Sequence, residues 1–128
     1  MVEKFKDWLD DILNNNDLTD IVAFNFNLYE EFSEDDENEN ESFAIQLIGA
    51  PEYDPENPDW ACNEKFTSGE NLFMLTCADW EECLLIVKSW ITEYINSGNY
   101  SEKLKQGIAV TVGFVDGDLD VIWQAVKQ

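Results

Sequence analysis

Residues 108 to 125, IAVTVGFVDGDLDVIWQA, restrict the fold more than any other stretch of this chain. Two apolar runs flank Asp116-Gly117. Asp-Gly is a preferred pair for a two-residue type I′ turn, whose central residues both need positive φ. With 116 and 117 as the turn, Phe114 faces Leu119, Val112 faces Val121, Val110 faces Trp123 and Ile108 faces Ala125. The opposite face is mixed, with Thr111 across from Ile122 and Gly113 across from Asp120. A slip of one residue would turn the apolar set to water, so the pattern specifies its own register. The expectation is a C-terminal β-hairpin.

The rest of the chain supplies elements for that hairpin to join. Val2, Phe5, Trp8, Leu9, Ile12 and Leu13 recur at helical spacing, and Asn14-Asn15-Asn16 offers a left-handed C-cap. Residues 21 to 29, IVAFNFNLY, alternate as a strand with Val22, Phe24, Phe26 and Leu28 inward. Asn25 and Asn27 then fall on an outer face, which is ordinarily solvated in an antiparallel sheet. A second strand covers 42 to 49, with Phe43, Ile45 and Leu47 on one face, pairing with the first across the run between them. Leu72 to Leu75 suit a short buried strand. A long helix follows, with Asp79 as N-cap, Glu82 three residues on, and an apolar stripe through Trp80, Cys83, Leu84, Val87, Ile91, Tyr94 and Ile95. Residues 101 to 106 allow one more helical turn. The order predicts a single α+β domain over 1–128: an antiparallel sheet with helices packed on one face and a C-terminal hairpin.

Charge decides which functions to consider. The chain carries 28 acidic residues against 7 basic ones, all Lys, and has no His, for a net charge of −21. Eight Phe, five Trp and four Tyr separate it from an acidic disordered tail. Lacking His, it has no ordinary general base near neutral pH. Lacking Arg, it has no bidentate clamp for phosphate. Its field repels nucleic acid and anionic membranes, and attracts basic proteins. Cys62, Cys77 and Cys83 have no zinc spacing, and the start resembles no signal peptide, so reduced thiols in the cytoplasm are expected. No cofactor and no enzymatic activity are expected.

Three segments are candidates for binding. Residues 30 to 41 hold eight acids, among them Glu30, Glu31, Asp35, Asp36 and Glu37. The run reads as a solvated loop or as a lure for a basic partner. Residues 50 to 64 contain all three prolines, the acids Asp54, Glu56, Asp59 and Glu64, and the aromatics Tyr53 and Trp60. Trp60 is either a plug holding the loop to the core or an exposed interface anchor. Asp116 and Asp118 bracket the hairpin tip; turn chemistry explains them better than a calcium loop, whose longer spacing is missing. Glu52, Asp54, Glu56 and Asp59 offer at most a weak cation site. Carboxylate pairs for hydrolysis are too numerous to select among.

FNFNLYE at 24–30, AIQLIGA at 44–50, DWACNEKF at 59–66 and GFVDGD at 113–118 resemble small acidic bacterial immunity proteins of polymorphic-toxin and contact-dependent-inhibition systems. The resemblance spans most of residues 21 to 125. It implies a cytoplasmic antitoxin that blocks one cognate toxin domain, often a nuclease, and that has no catalytic residues. A basic nuclease surface would suit an acidic inhibitor. Two other classes stay open: a small carboxylate- or metal-dependent hydrolase, and an adaptor that adds an edge strand to another sheet.

Overall fold

Phe24, Phe26 and Leu28 alternate with Ala23, Asn25 and Asn27, so one short segment offers both of its faces for burial. It becomes the middle of the sheet. The computed structural model describes residues 2–31, 41–115 and 119–125. Within them lie β1 (Ala23–Glu31), β2 (Glu41–Ala50), β3 (Phe66–Thr67), β4 (Phe73–Cys77), β5 (Ala109–Phe114) and β6 (Asp120–Gln124). The helices are α1 (Val2–Asn15), α2 (Trp80–Ser97) and α3 (Ser101–Leu104), with a 3-10 helix at Pro58–Cys62. The strand order is β3, β2, β1, β5, β6, and β4 shares the outer edge of β2 with β3.

The fold is α+β with a mostly antiparallel sheet, and β1 and β2 pair antiparallel as expected. One pair departs from that pattern: β1 and β5 are parallel, with Phe24 beside Val110 and Phe26 beside Val112. Parallel neighbours need a long crossover. Here it contains α2 and α3 and returns the chain to the start of β1.

β5 and β6 form the C-terminal antiparallel pair, but the register is not uniform. Ala109 meets Gln124 and Val110 meets Trp123, as the turn chemistry requires. Beyond a shift between Val110 and Thr111, Thr111 meets Val121 and Val112 meets Asp120, one residue away from the two-residue-turn register. A bulge lets Ile122 and Trp123 both pack against the core while Val121 stays exposed. Asp116 and Asp118 lie outside the described residues.

The helices cover the face carrying Phe24, Phe26, Leu28, Phe43, Ile45, Leu47, Val110 and Val112. Phe5 of α1 is fully buried at its centre, edge-on to Phe73 at 5.7 Å and 5.5 Å from Trp90. The α2 stripe buries Cys83, Val87, Ile91, Tyr94 and Ile95. Asp79 caps α2 by accepting from the Glu82 N–H at 2.8 Å, while the Glu82 carboxylate reaches the Ala78 N–H at 2.6 Å. That is a capping box displaced by one residue. The end of α1 differs from expectation too. None of Asn14, Asn15 and Asn16 has a positive φ; among the described non-glycine residues only Asp20 does. Instead the Asn15 and Asn16 amides donate to the Asp11 and Ile12 carbonyls, and Lys103 Nζ donates to the Leu13 carbonyl. Side-chain donors thus satisfy the last turn.

Two local constraints hold the helices to one another and the start of β5 to the start of β1. The Tyr94 hydroxyl donates to Asp10 Oδ1 at 2.6 Å and accepts from the Tyr100 N–H at 3.2 Å. Burial pushes the Tyr94 phenol well above its ordinary value, and its bond to Asp10 adds to the rise. Gly107 lies so close to Val22 that a Cβ would fall 1.9 Å from the Val22 carbonyl oxygen, which accepts the Ile108 N–H at 2.7 Å.

Gly107→Ala should therefore force β5 away from the start of β1 and lower stability by more than ~1 kcal/mol, the ordinary effect of a surface substitution being smaller. Urea unfolding measures it. Tyr94→Phe should cost about 1.5–3 kcal/mol, the range for a hydrogen bond to a charged group. The folded phenol titrates above the unfolded one, so its contribution is complete below about pH 10 and lost as pH rises beyond it. Urea midpoints should fall on the alkaline side in the native protein and less steeply in the variant.

Candidate protein-binding surface

The outer face of the sheet is not the solvated surface that an open antiparallel sheet would present. Asn25 is fully buried and Thr111 is 1% exposed; they are the buried polar residues among the described positions. The reason is the segment after β2. Residues 51 to 64 fold back over Ala23, Ala50 and Ala109, whose small side chains leave room for Trp60. Trp60 is 4% exposed, so it is the plug of the loop and not a free anchor. Tyr53 stacks edge-on against it at 5.1 Å and is half-buried, its hydroxyl without a hydrogen-bond partner. The prolines and Asx turns hold the rest: Asp54 accepts from the Glu56 N–H, and Asn57 caps the 3-10 helix through the Asp59 N–H.

Burying polar groups is costly unless they are bonded, and here a line of bonds crosses the strands. The Thr111 hydroxyl donates to Asn25 Oδ1 at 2.9 Å, and Asn25 Nδ2 donates to Asn27 Oδ1 at 2.5 Å. The Tyr29 hydroxyl donates to Gln46 Oε1 at 2.6 Å, and Gln46 Nε2 donates to the Gly69 carbonyl. Burial raises the Tyr29 phenol above its ordinary value; a hydrogen bond with Asn27 opposes the rise and the Glu64 carboxylate adds to it.

This belt floors a cleft of about 360 Å³. Asp59, Cys62 and Glu64 stand on one side, and Phe114, Val115 and Leu119 on the other. A second hollow of about 260 Å³ lies between Asp54, Glu56 and the β6 residue Val121. Parts of two candidate segments therefore meet: the acids of 51–64 and the residues flanking the hairpin tip. Asp54, Glu56, Asp59 and Glu64 are all exposed. Glu30 is exposed but alternates to the helix side of β1, away from the cleft, and Glu31 follows it opposite Ser42. Asp35, Asp36 and Glu37 lie outside the described residues.

Phe114 belongs both to the cleft lining and to the residues packed on the helix-side core. Val115 is 49% exposed, and the Phe114 ring meets Trp80 edge-on at 6.1 Å. Trp80, on the apolar stripe by sequence, is 48% exposed, because the first position of α2 projects past the core. Asp79, Glu81 and Glu82 surround it in the same turn. Its acidic neighbours were the available signal that it faces water.

The basic residues are placed unevenly. Lys4, Lys6, Lys88, Lys103 and Lys105 belong to the helical layer, where Lys6 pairs with Glu93, Lys88 with Asp120 and Lys105 with Glu102. Residues 51 to 64 contain five acids and no lysine, and adjacent Lys65 pairs with Asp20. Among the described residues no three or more acids and thiols converge as a metal site would require. All three cysteines are free; burial raises the thiols of Cys77 and Cys83, whereas Cys62 is exposed. No described helix is long and apolar enough to cross a membrane. Compared with family models, curated proteins and solved structures, the chain matches none.

Trp60→Ala should release the loop from its alanine floor. The expected loss is about 3 kcal/mol, the lower end for removing a buried Trp, measured by chemical unfolding. Limited proteolysis should show new cleavage within 51–64.

Proposed function

We propose that this protein is an immunity protein that binds and neutralises a basic toxin domain, with a nuclease the best-fitting class. One observation carries the reading. A half-exposed Trp80 meets Phe114, and Phe114 and the exposed Val115 also line a cleft that the carboxylates of Asp59 and Glu64 border. Interfaces concentrate their energy in desolvated aromatic anchors, and rim charges mainly set encounter rate. Trp80 supplies the anchor here. The lysine-free loop at 51–64 supplies steering toward cations. A nuclease domain must be basic where it holds phosphates, so an acidic cover on that site excludes the substrate.

The edge-strand alternative fits less well. β6 is the sheet edge beside β5, but it is five residues long and paired out of uniform register, which blunts an edge. A metal-dependent hydrolase has no group of three or more acids or thiols to hold its ion among the described residues.

Co-expression with a toxin domain encoded beside this gene should restore growth and yield a 1:1 complex. A toxin that kills equally well in its presence overturns the reading. Within the complex, Trp80→Ala should weaken affinity at least ~10-fold, about 1.4 kcal/mol, mostly through faster dissociation. Charge reversal at Glu56 and Asp59 should instead slow association and flatten its dependence on salt, followed by stopped-flow mixing.

A further inference from the structure

The cleft on the outer face has a chemistry more specific than its charge. Its floor is polar in the middle of a sheet, where central strands ordinarily carry apolar residues on a covered face. Asn25 and Asn27 are held there by bonds to Thr111 and to each other, so their orientation is set before any partner arrives. Each amide oxygen has two acceptor sites, and the Asn27 oxygen uses one of them for Asn25. Tyr29 presents a ring beside these amides, and Asp59 and Glu64 bring carboxylates to the same opening. Val115, Leu119 and Ala61 make the remaining wall apolar.

We infer that this cleft receives one arginine side chain of the basic partner, with its guanidinium between the Glu64 carboxylate and the amide belt. The inference rests on the protein-binding reading and names the anchor that the partner must contribute. An arginine fits for three reasons. Its methylene stem matches Val115 and Leu119. Its planar head can lie against the Tyr29 ring while its fixed donors reach Glu64 and the free acceptor site of Asn27. It is more weakly hydrated than an ammonium, so bringing it over a partly buried floor costs less than bringing lysine. The chain itself has no arginine, and among the described residues no lysine lines the cleft.

Gly113 provides a test that leaves every charge in place. It lies directly beside Asn27 in β5, without positive φ, and alternation puts its missing side chain on the face of Thr111. Gly113→Val should therefore narrow the cleft from below in a strand that accepts a β-branched residue.

The experiment titrates the intact protein with Nα-acetyl-arginine amide and, separately, with its neutral citrulline counterpart and the lysine analogue, followed by two-dimensional NMR. Arginine should shift the side-chain amides of Asn25 and Asn27 and the backbone signals of Val115 and Leu119, and citrulline should not. Asp59→Asn with Glu64→Gln should weaken the effect at least fivefold. Gly113→Val should abolish it while leaving the remaining spectrum dispersed as before. Shifts spread over the whole acidic surface, equal shifts with citrulline, or none in the cleft would overturn the inference. Equal binding of lysine would overturn the choice of guanidinium. These results do not depend on a toxin. A silent cleft alongside a complex that still weakens on Trp80→Ala removes the arginine anchor alone, whereas a responsive cleft with no neutralised toxin removes the larger reading.

Discussion

The structure depends on β1 being buried from both sides. Its Phe24, Phe26 and Leu28 face the helices, and its Ala23 and Asn25 lie under the folded-back loop. Pairing with β2 on one edge and β5 on the other uses the backbone groups that such burial would otherwise leave unsatisfied. The other elements follow. β5 must return parallel beside β1, which requires the α2–α3 crossover, and that crossover delivers Val87, Ile91 and Tyr94 to the helical side of the core. Gly107 marks where the return is tightest.

Two-sided burial also separates the charges. A folded-back loop over the outer face needs small residues beneath it and a large one to fill the gap, hence three alanines under one tryptophan. Its acids Glu52, Asp54, Glu56, Asp59 and Glu64 face water, and it contains no lysine. Among the described residues the lysines other than Lys65 belong to the helical layer, where Lys6, Lys88 and Lys105 pair with acids and Lys103 caps α1. Exposed pairs of this kind contribute little to stability. Their location matters more, because it leaves residues 51 to 64 with five acids and no lysine of their own. The same loop leaves a cleft open beside β5, so field and shape coincide.

Much of this was legible in sequence, and for physical reasons. Alternation in β1 and β2, the α2 stripe and the Asp79 cap are local signals whose periods survive in the fold. The acid count and the absence of His and Arg needed no structure at all. Other features depended on contacts distant in sequence. Asn25 looked like a solvated residue because Asp59, Ala61 and Cys62, which stand beside it in the fold, come more than thirty positions later. Trp60 admitted two readings until its alanine floor was assembled from β1, β2 and β5. Trp80 looked like core because helical periodicity does not say where a helix overruns the sheet beneath it. The hairpin register held at Ala109 and Val110 and slipped by one residue at Thr111 and Val112, where a bulge accompanies the packing of both Ile122 and Trp123.

By itself, then, the order of residues determined element types, the inward faces of the first two strands and a negative charge too large to be incidental. These are properties of neighbours along the chain or of simple sums. Tertiary structure decided the parallel β1–β5 pairing, the cover over the outer face, the exposed position of Trp80 and the cleft beside Asn27. Each of those depends on how separate elements meet, and no spacing within one segment encodes such a meeting.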